Sequence, residues 1–109
     1  MATLEDFEQL DLRVGRILDA RDFPAARKPA YQLIIDFGPL GHRQSSAQLT
    51  AHYTPETLVG RLVIAVTNFP PRRIAGFKSE VLVLGLPDAD GNVVLLAPER
   101  EVPLGGRVY

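Results

Sequence analysis

Residues 53–60 read YTPETLVG, and the fold turns on this stretch. The Thr54 hydroxyl can accept from a backbone N–H two or three residues on. Pro55 suits the first helical position, where no N–H is needed, and Gly60 suits the place just past a last turn. The signals leave room for about two turns. A short helix is therefore expected in the middle of a chain whose other apolar segments read as strands. Upstream, DLRVGRILDARDF (11–23) predicts a long strand, bent at Gly15 by a bulge or tight curl. AYQLIIDFG (30–38) predicts a second, stopped by Gly38-Pro39, and HRQSSAQLT (42–50) a third that is poorer in apolar residues. Downstream, RLVIAVTNF (61–69) predicts a fourth strand, which Pro70-Pro71 must end because proline cannot donate to a sheet ladder. SEVLVLGLP (79–87) predicts a fifth, and VVLLAP (93–98) completes a hairpin whose turn is built on Asp90-Gly91.

The order is three strands, a short helix, two strands and a hairpin. A mainly β chain with a helix between the third and fourth strands of a five-stranded Greek-key barrel is an OB-fold; a generic β-sandwich is the competing topology. At the N-terminus, Thr3 followed by Asp6 resembles a capping box for a second short helix near 4–9. The C-terminal stretch EREVPLGGRVY (99–109) is polar, with Val102, Leu104, Val108 and Tyr109 available for docking. Length, 109 residues without repeat or linker, points to one domain over 1–109. The runs LVIAV and VLVLG are apolar on both faces, whereas a small barrel turns only one face inward. The outer face must be covered by a helix, by the tail or by a second subunit, and a homodimer is the preferred expectation.

No cysteine is present, which excludes disulfides and thiol chemistry and fits a reducing compartment. The acidic start MATLEDFEQLDLR is not a secretory signal, and no run approaches membrane-spanning length. A cytoplasmic protein that does not enter the membrane is expected. The net charge of −1 conceals segregation. Residues 1–22 carry six acids and three bases, and residues 80–109 five acids and two bases. Between them, residues 23–79 carry two acids and seven bases. A basic centre on a near-neutral chain reads either as solvated surface or as an anion-binding face.

Within that centre, TNFPPRRIAGFKSE (67–80) sets two stiff prolines before Arg72 and Arg73, then Gly76, Lys78 and Ser79. A rigid connection loses little entropy on binding, and guanidinium groups fork onto phosphate oxygens. HRQSSAQ adds Arg43 with two hydroxyls and two amides, and FPAARKPAY (23–31) repeats the pattern of prolines around cations. Few aromatic residues are free to stack, which favours shape and backbone recognition of folded RNA over single strands. Ser45, Ser46, His52 and Asp36 hold the letters of a triad but no nucleophile-elbow pattern. His42 and His52 lack the companions of a zinc site. DADGNVVLLAPE mimics a calcium loop, yet Val93 stands where glycine is needed, so a plain turn is expected. No cofactor and no catalytic residue is assigned.

DLRVGRI, RKPAYQLIIDFG, SSAQLT, LVGRLVIAVTNFPPRRIAGFKSEVLVLG and VPLGGR together resemble the CsaA family, within the tRNA-binding-domain superfamily of OB-folds that also occurs appended to methionyl- and phenylalanyl-tRNA synthetases. The likeness runs from about Phe7 to Arg107. Other superfamily members more often carry serine-glycine where SSAQ stands and asparagine-leucine-proline where NFPPR stands, which sets this sequence nearer CsaA. The resemblance implies a non-catalytic homodimer joined through barrel extensions and terminal segments. It implies export-type chaperone action on unfolded or pre-secretory polypeptides, alongside a tRNA-binding face; the alternative is a tRNA-binding protein acting in trans. Carried over, the RNA-binding residues are Arg43, Ser45, Ser46, Asn68, Arg72, Arg73, Lys78, Ser79 and Glu80. Glu80 would accept from ribose hydroxyls or hold a neighbouring arginine. Polypeptide binding near the dimer seam would use Phe23, Tyr31, Phe69 and Phe77.

Overall fold

A computed structural model describes all of residues 1–109. Two helices, α1 (Leu4–Glu8) and α2 (Pro55–Leu58), accompany nine strands: β1 (Leu12–Asp22), β2 (Tyr31–Asp36), β3 (His42–Ala47), β4 (Leu62–Val66), β5 (Arg72–Ile74), β6 (Phe77–Ser79), β7 (Leu82–Val83), β8 (Gly85–Pro87) and β9 (Val93–Leu95). Both helices start as their sequences dictate. The Thr3 hydroxyl accepts from Asp6 N–H while Asp6 accepts from Thr3 N–H, and Thr54 and Thr57 do the same for α2.

Five strands form an antiparallel sheet in the order β3-β2-β1-β4-β7. The length of β1 lets it serve two partners, Leu12–Arg16 on β4 and Arg16–Asp22 on β2. That shared strand curls the sheet into a nearly closed OB-fold barrel. Closure is made between β3 and the end of β6 with the residue after it: Glu80 N–H donates to Gln44 O at 2.8 Å, and Ser46 N–H to Ser79 Oγ at 3.0 Å. Inside lie Ile17, Leu33, Ile35, Phe37 and Val63, with Leu58 of α2 inserted among them.

Three local expectations are corrected. The bulge of β1 lies at Leu18, between Ile17 and Asp19, while Gly15 stays in regular register with Val63. Gly15 makes space instead: a Cβ there would lie 2.5 Å from Ile35 Cγ2 and 2.8 Å from Phe37 Cε1. The expected fifth strand changes partner midway, β7 pairing with β4 and β8 with β9. Gly85 permits the change, since a Cβ would meet Val93 Cγ1 at 2.6 Å. The proline–arginine connection is no loop but a hairpin, β5–β6, turned by Ala75 (φ 47°) and Gly76 (φ 83°). Two left-handed residues make a tight turn that twists with its strands; Ala-Gly is a poor sequence signal for it.

The outer apolar face of β1 and β4 (Leu12, Val14, Ile64, Val66) is covered by the chain itself, through Leu10, Leu62, Leu84 and Val108. Val108 arrives because the tail docks on the free edge of β1, with Gly105 N–H donating to Val14 O at 2.9 Å and Val108 N–H to Leu12 O at 2.9 Å. Asp11 ties both ends together. Its carboxylate accepts from Arg13 at 2.7 Å and from the Thr67 hydroxyl at 3.0 Å, and Arg107 lies at 3.4 Å. Partial burial pushes the Asp11 carboxyl up, but the Thr67 and Arg13 hydrogen bonds and the two guanidinium charges outweigh it and hold it below the usual carboxylate range. The folded chain therefore takes up this proton less readily than the unfolded chain. The stabilisation is present above pH about 4 and lost as pH falls below it. Asp11→Asn is expected to cost about 1–2 kcal/mol at neutral pH and to weaken the acid dependence of stability between about pH 5 and 3, read by urea unfolding; an unchanged acid dependence would discount the knot.

Candidate nucleic-acid interface

The twelve cations divide cleanly. Arg13, Arg16, Arg21, Arg100 and Arg107, all from the two ends, each pair with a carboxylate within 4.0 Å. The seven of the centre (Arg27, Lys28, Arg43, Arg61, Arg72, Arg73 and Lys78) have none. The charge segregation of the sequence is thus also a segregation of free charge. Arg72, Arg73 and Lys78 are exposed on the β5–β6 hairpin, where register sets Arg73 opposite Lys78 and Arg72 opposite Ser79. Phe77 joins this hairpin to the β1–β2 connection by packing edge-on to Phe23, ring centroids 5.4 Å apart. The connection bearing Arg27 and Lys28 is thereby anchored beside the hairpin. Such a surface attracts polyanions without first breaking an ion pair of its own.

Between hairpin and barrel lies a pocket of about 220 Å³ that gathers Ser46, Phe69, Arg72, Ser79 and Glu80. Several expected ligand contacts are spoken for. Ser45 is 0 % exposed and donates its hydroxyl to Val81 O, so it locks the barrel and no ligand reaches it. Asn68 accepts from Asp11 N–H at 2.9 Å and donates to Gln9 O at 2.8 Å, which employs both halves of its amide in holding the N-terminal segment. Arg43 shares a face of β3 with Ser45, not with Ser46, and stands apart from the pocket. Glu80 holds no arginine: one of its oxygens accepts from Gln44 N–H at 3.1 Å. Gln44, one of the two amides that the sequence offered to a ligand, instead donates to Lys78 O at 2.9 Å and so fixes the hairpin to β3.

Of the aromatic candidates, Phe23 and Tyr31 are core residues at 5 % and 7 % exposure, and Tyr31 donates to Tyr53 O. Burial raises the Tyr31 phenol above its ordinary pKa, with Asp22 and Glu56 adding to the effect. Phe77 is half-buried against Phe23. Phe69 alone stands open, at 43 % exposure, and it lines the same pocket as Arg72. No Ser–His pair is assembled, because His52 contacts Asp88 on the β8–β9 turn. Asp88 accepts from Asp90 and Asn92 N–H as a turn-forming carboxylate, and the His52 contact with these bonds holds it below its ordinary pKa.

Residues 12–107 match the family described as "Putative tRNA binding domain". The chain belongs to that family. Its fold superposes on the crystal structure of chaperone CsaA from Bacillus anthracis with a TM-score of 0.93 and 57 % identity, covering 100 % of this chain and 99 % of the other. CsaA from Picrophilus torridus gives 0.93 and 48 %, with both chains covered in full. Methionine–tRNA ligase of Porphyromonas gingivalis is 41 % identical over 104 residues, 95 % of this chain but 15 % of the ligase. The chain thus spans about a seventh of the length of that curated relative. No helix is long and apolar enough to cross a membrane.

Proposed function

We propose that this chain is a non-catalytic, homodimeric, cytoplasmic binding protein that grips folded tRNA by shape and backbone. The observation that carries the reading is the set of seven cations without a carboxylate partner. Arg72, Arg73 and Lys78 serve as phosphate contacts from the hairpin, with Arg27 and Lys28 beside them. The test is titration of the purified protein into labelled total tRNA at several salt concentrations. If all seven cations met phosphates, log K against log salt would fall with a slope of about −6. A clearly negative slope is expected; binding that ignores salt, or none at low salt, would overturn the reading.

Dimerisation rests on the β8–β9 extension. Its inner residues Val93 and Leu95 pack on the barrel core, while Leu86 and Val94, opposite one another, and Leu96 remain exposed. An apolar strip on a projecting hairpin suits a self-complementary contact. Leu86→Glu with Val94→Glu is expected to give a monomer with native circular dichroism, its mass read by light scattering. A dimer that survives both charges would place the seam elsewhere.

A second reading is favoured by the likeness to chaperone CsaA and by the apolar wall of the pocket, Phe69 and Leu82. In it the same dimer holds unfolded or pre-secretory polypeptides. Suppression of aggregation of a denatured client, weakly dependent on salt, is its signature.

A further inference from the structure

Glu80 is an acid inside a basic surface, and its geometry says what it is for. Backbone bonds to β3 fix it on both sides, Glu80 N–H to Gln44 O at 2.8 Å and Gln44 N–H to Glu80 Oε1 at 3.1 Å. Its second oxygen, Oε2, has no partner in the protein, and Glu80 lines the pocket beneath the hairpin. Arg72 shares that pocket without forming an ion pair to it. Phe69 and Ile74 supply flat and branched apolar wall. At about 220 Å³ the pocket lies below the range of about 300–1,000 Å³ usual for drug-sized ligands and has room for one ring system.

A rigid carboxylate can only accept, an unpaired guanidinium can only donate, and an exposed phenyl ring offers a stacking face. Set side by side they complement a nucleotide: phosphate on Arg72, base against Phe69, base edge on Glu80. We propose that this pocket receives one unstacked nucleobase of the bound RNA and that Glu80 selects guanine. Guanine alone presents two adjacent N–H donors on its Watson–Crick edge, one for Oε2 and one for the lone pair that Oε1 keeps beyond its bond to Gln44 N–H. Adenine and cytosine turn a lone pair toward the carboxylate beside their amino group, and uracil flanks its one N–H with two carbonyl oxygens. An apolar polypeptide side chain beside an amine would use Phe69 and Glu80 but leave Arg72 idle, so the nucleotide accounts for more of the site. The inference rests on the RNA reading above.

The test compares two labelled eight-nucleotide RNAs, one all adenine and one with a central guanine, by fluorescence anisotropy. The native protein is expected to hold the guanine oligomer about tenfold more tightly. Glu80→Gln keeps an oxygen for Gln44 N–H and replaces the free acceptor; it should abolish that preference while leaving the salt slope for total tRNA unchanged. Phe69→Ala, at an exposed position, should weaken both oligomers. Thermal melting shows whether each variant folds. Absence of a guanine preference in the native protein, or its survival in Glu80→Gln, would overturn the base pocket while salt-dependent tRNA binding leaves the phosphate face standing. Loss of all RNA binding would instead overturn the underlying reading. A short apolar peptide with a free amine that outcompetes the guanine oligomer, and loses its affinity in Glu80→Gln, would assign the pocket to polypeptide.

Discussion

Replacing Arg72 and Arg73 together by alanine is expected to lower the affinity for tRNA about thirtyfold at about 0.15 M salt and to make the salt slope shallower by about 1.8. The two numbers are one effect. Each phosphate neutralised releases about 0.9 of a counterion, and the entropy of that release grows as the bulk salt is diluted. Both side chains are exposed, and the only hydrogen bond made by either is the 3.4 Å contact from Arg73 to Gly76 O, so the fold loses little when they go. Alanine also leaves the β5–β6 register intact, since the ladder is made by backbone. The double variant should therefore melt within about 0.5 kcal/mol of the native protein, which separates lost binding from lost structure. Anisotropy at four salt concentrations gives both the affinity and the slope. A variant weaker at every salt with an unchanged slope would mean that the arginines act on something other than phosphate.

Gly15→Ala is expected to have the largest effect on stability, about 3 kcal/mol, or roughly 12 °C or more in melting temperature. The added carbon would sit 2.5 Å from Ile35 Cγ2 and within 2.9 Å of two carbons of the Phe37 ring. Both neighbours are fully buried and bounded by core, so neither can step aside cheaply. Total stability of a domain this size is about 5–15 kcal/mol, so much of it would go. Phe37→Leu in the Gly15→Ala background should recover part of the loss by removing the ring edge. If Gly15→Ala melts like the native protein, the close approach is not what this glycine provides.

The same glycine shows how far the sequence could be read. A glycine in a strand signals either a bend or a close approach, and choosing between them needs the neighbour, Phe37, which is 22 residues away. The bulge at Leu18 left a trace only in the broken alternation at Ile17 and Leu18. Both helix starts were legible because Thr3 with Asp6 and Thr54 with Pro55 are local signals, but α2 makes a single turn, Pro55–Leu58, where the signals left room for about two. The closure of the barrel was not, since it depends on Gln44 and Glu80 meeting 36 residues apart. On the interface, Arg72, Arg73 and Lys78 were legible as charges in a stiff setting. That Asn68 and Ser45 serve the fold was hidden, because amides and hydroxyls suit a ligand and a backbone equally well.

The run Leu82–Pro87 begins in the barrel and ends in the extension, with no linker between. Whatever seizes the extension therefore holds the barrel in a set attitude. Two chains joined through their extensions would carry their basic hairpins at one fixed spacing, as the jaws of a caliper. Such an instrument would gauge the curvature of a bound RNA. A molecule of matching shape engages both jaws and gains avidity, whereas one of the same charge but different outline engages only one.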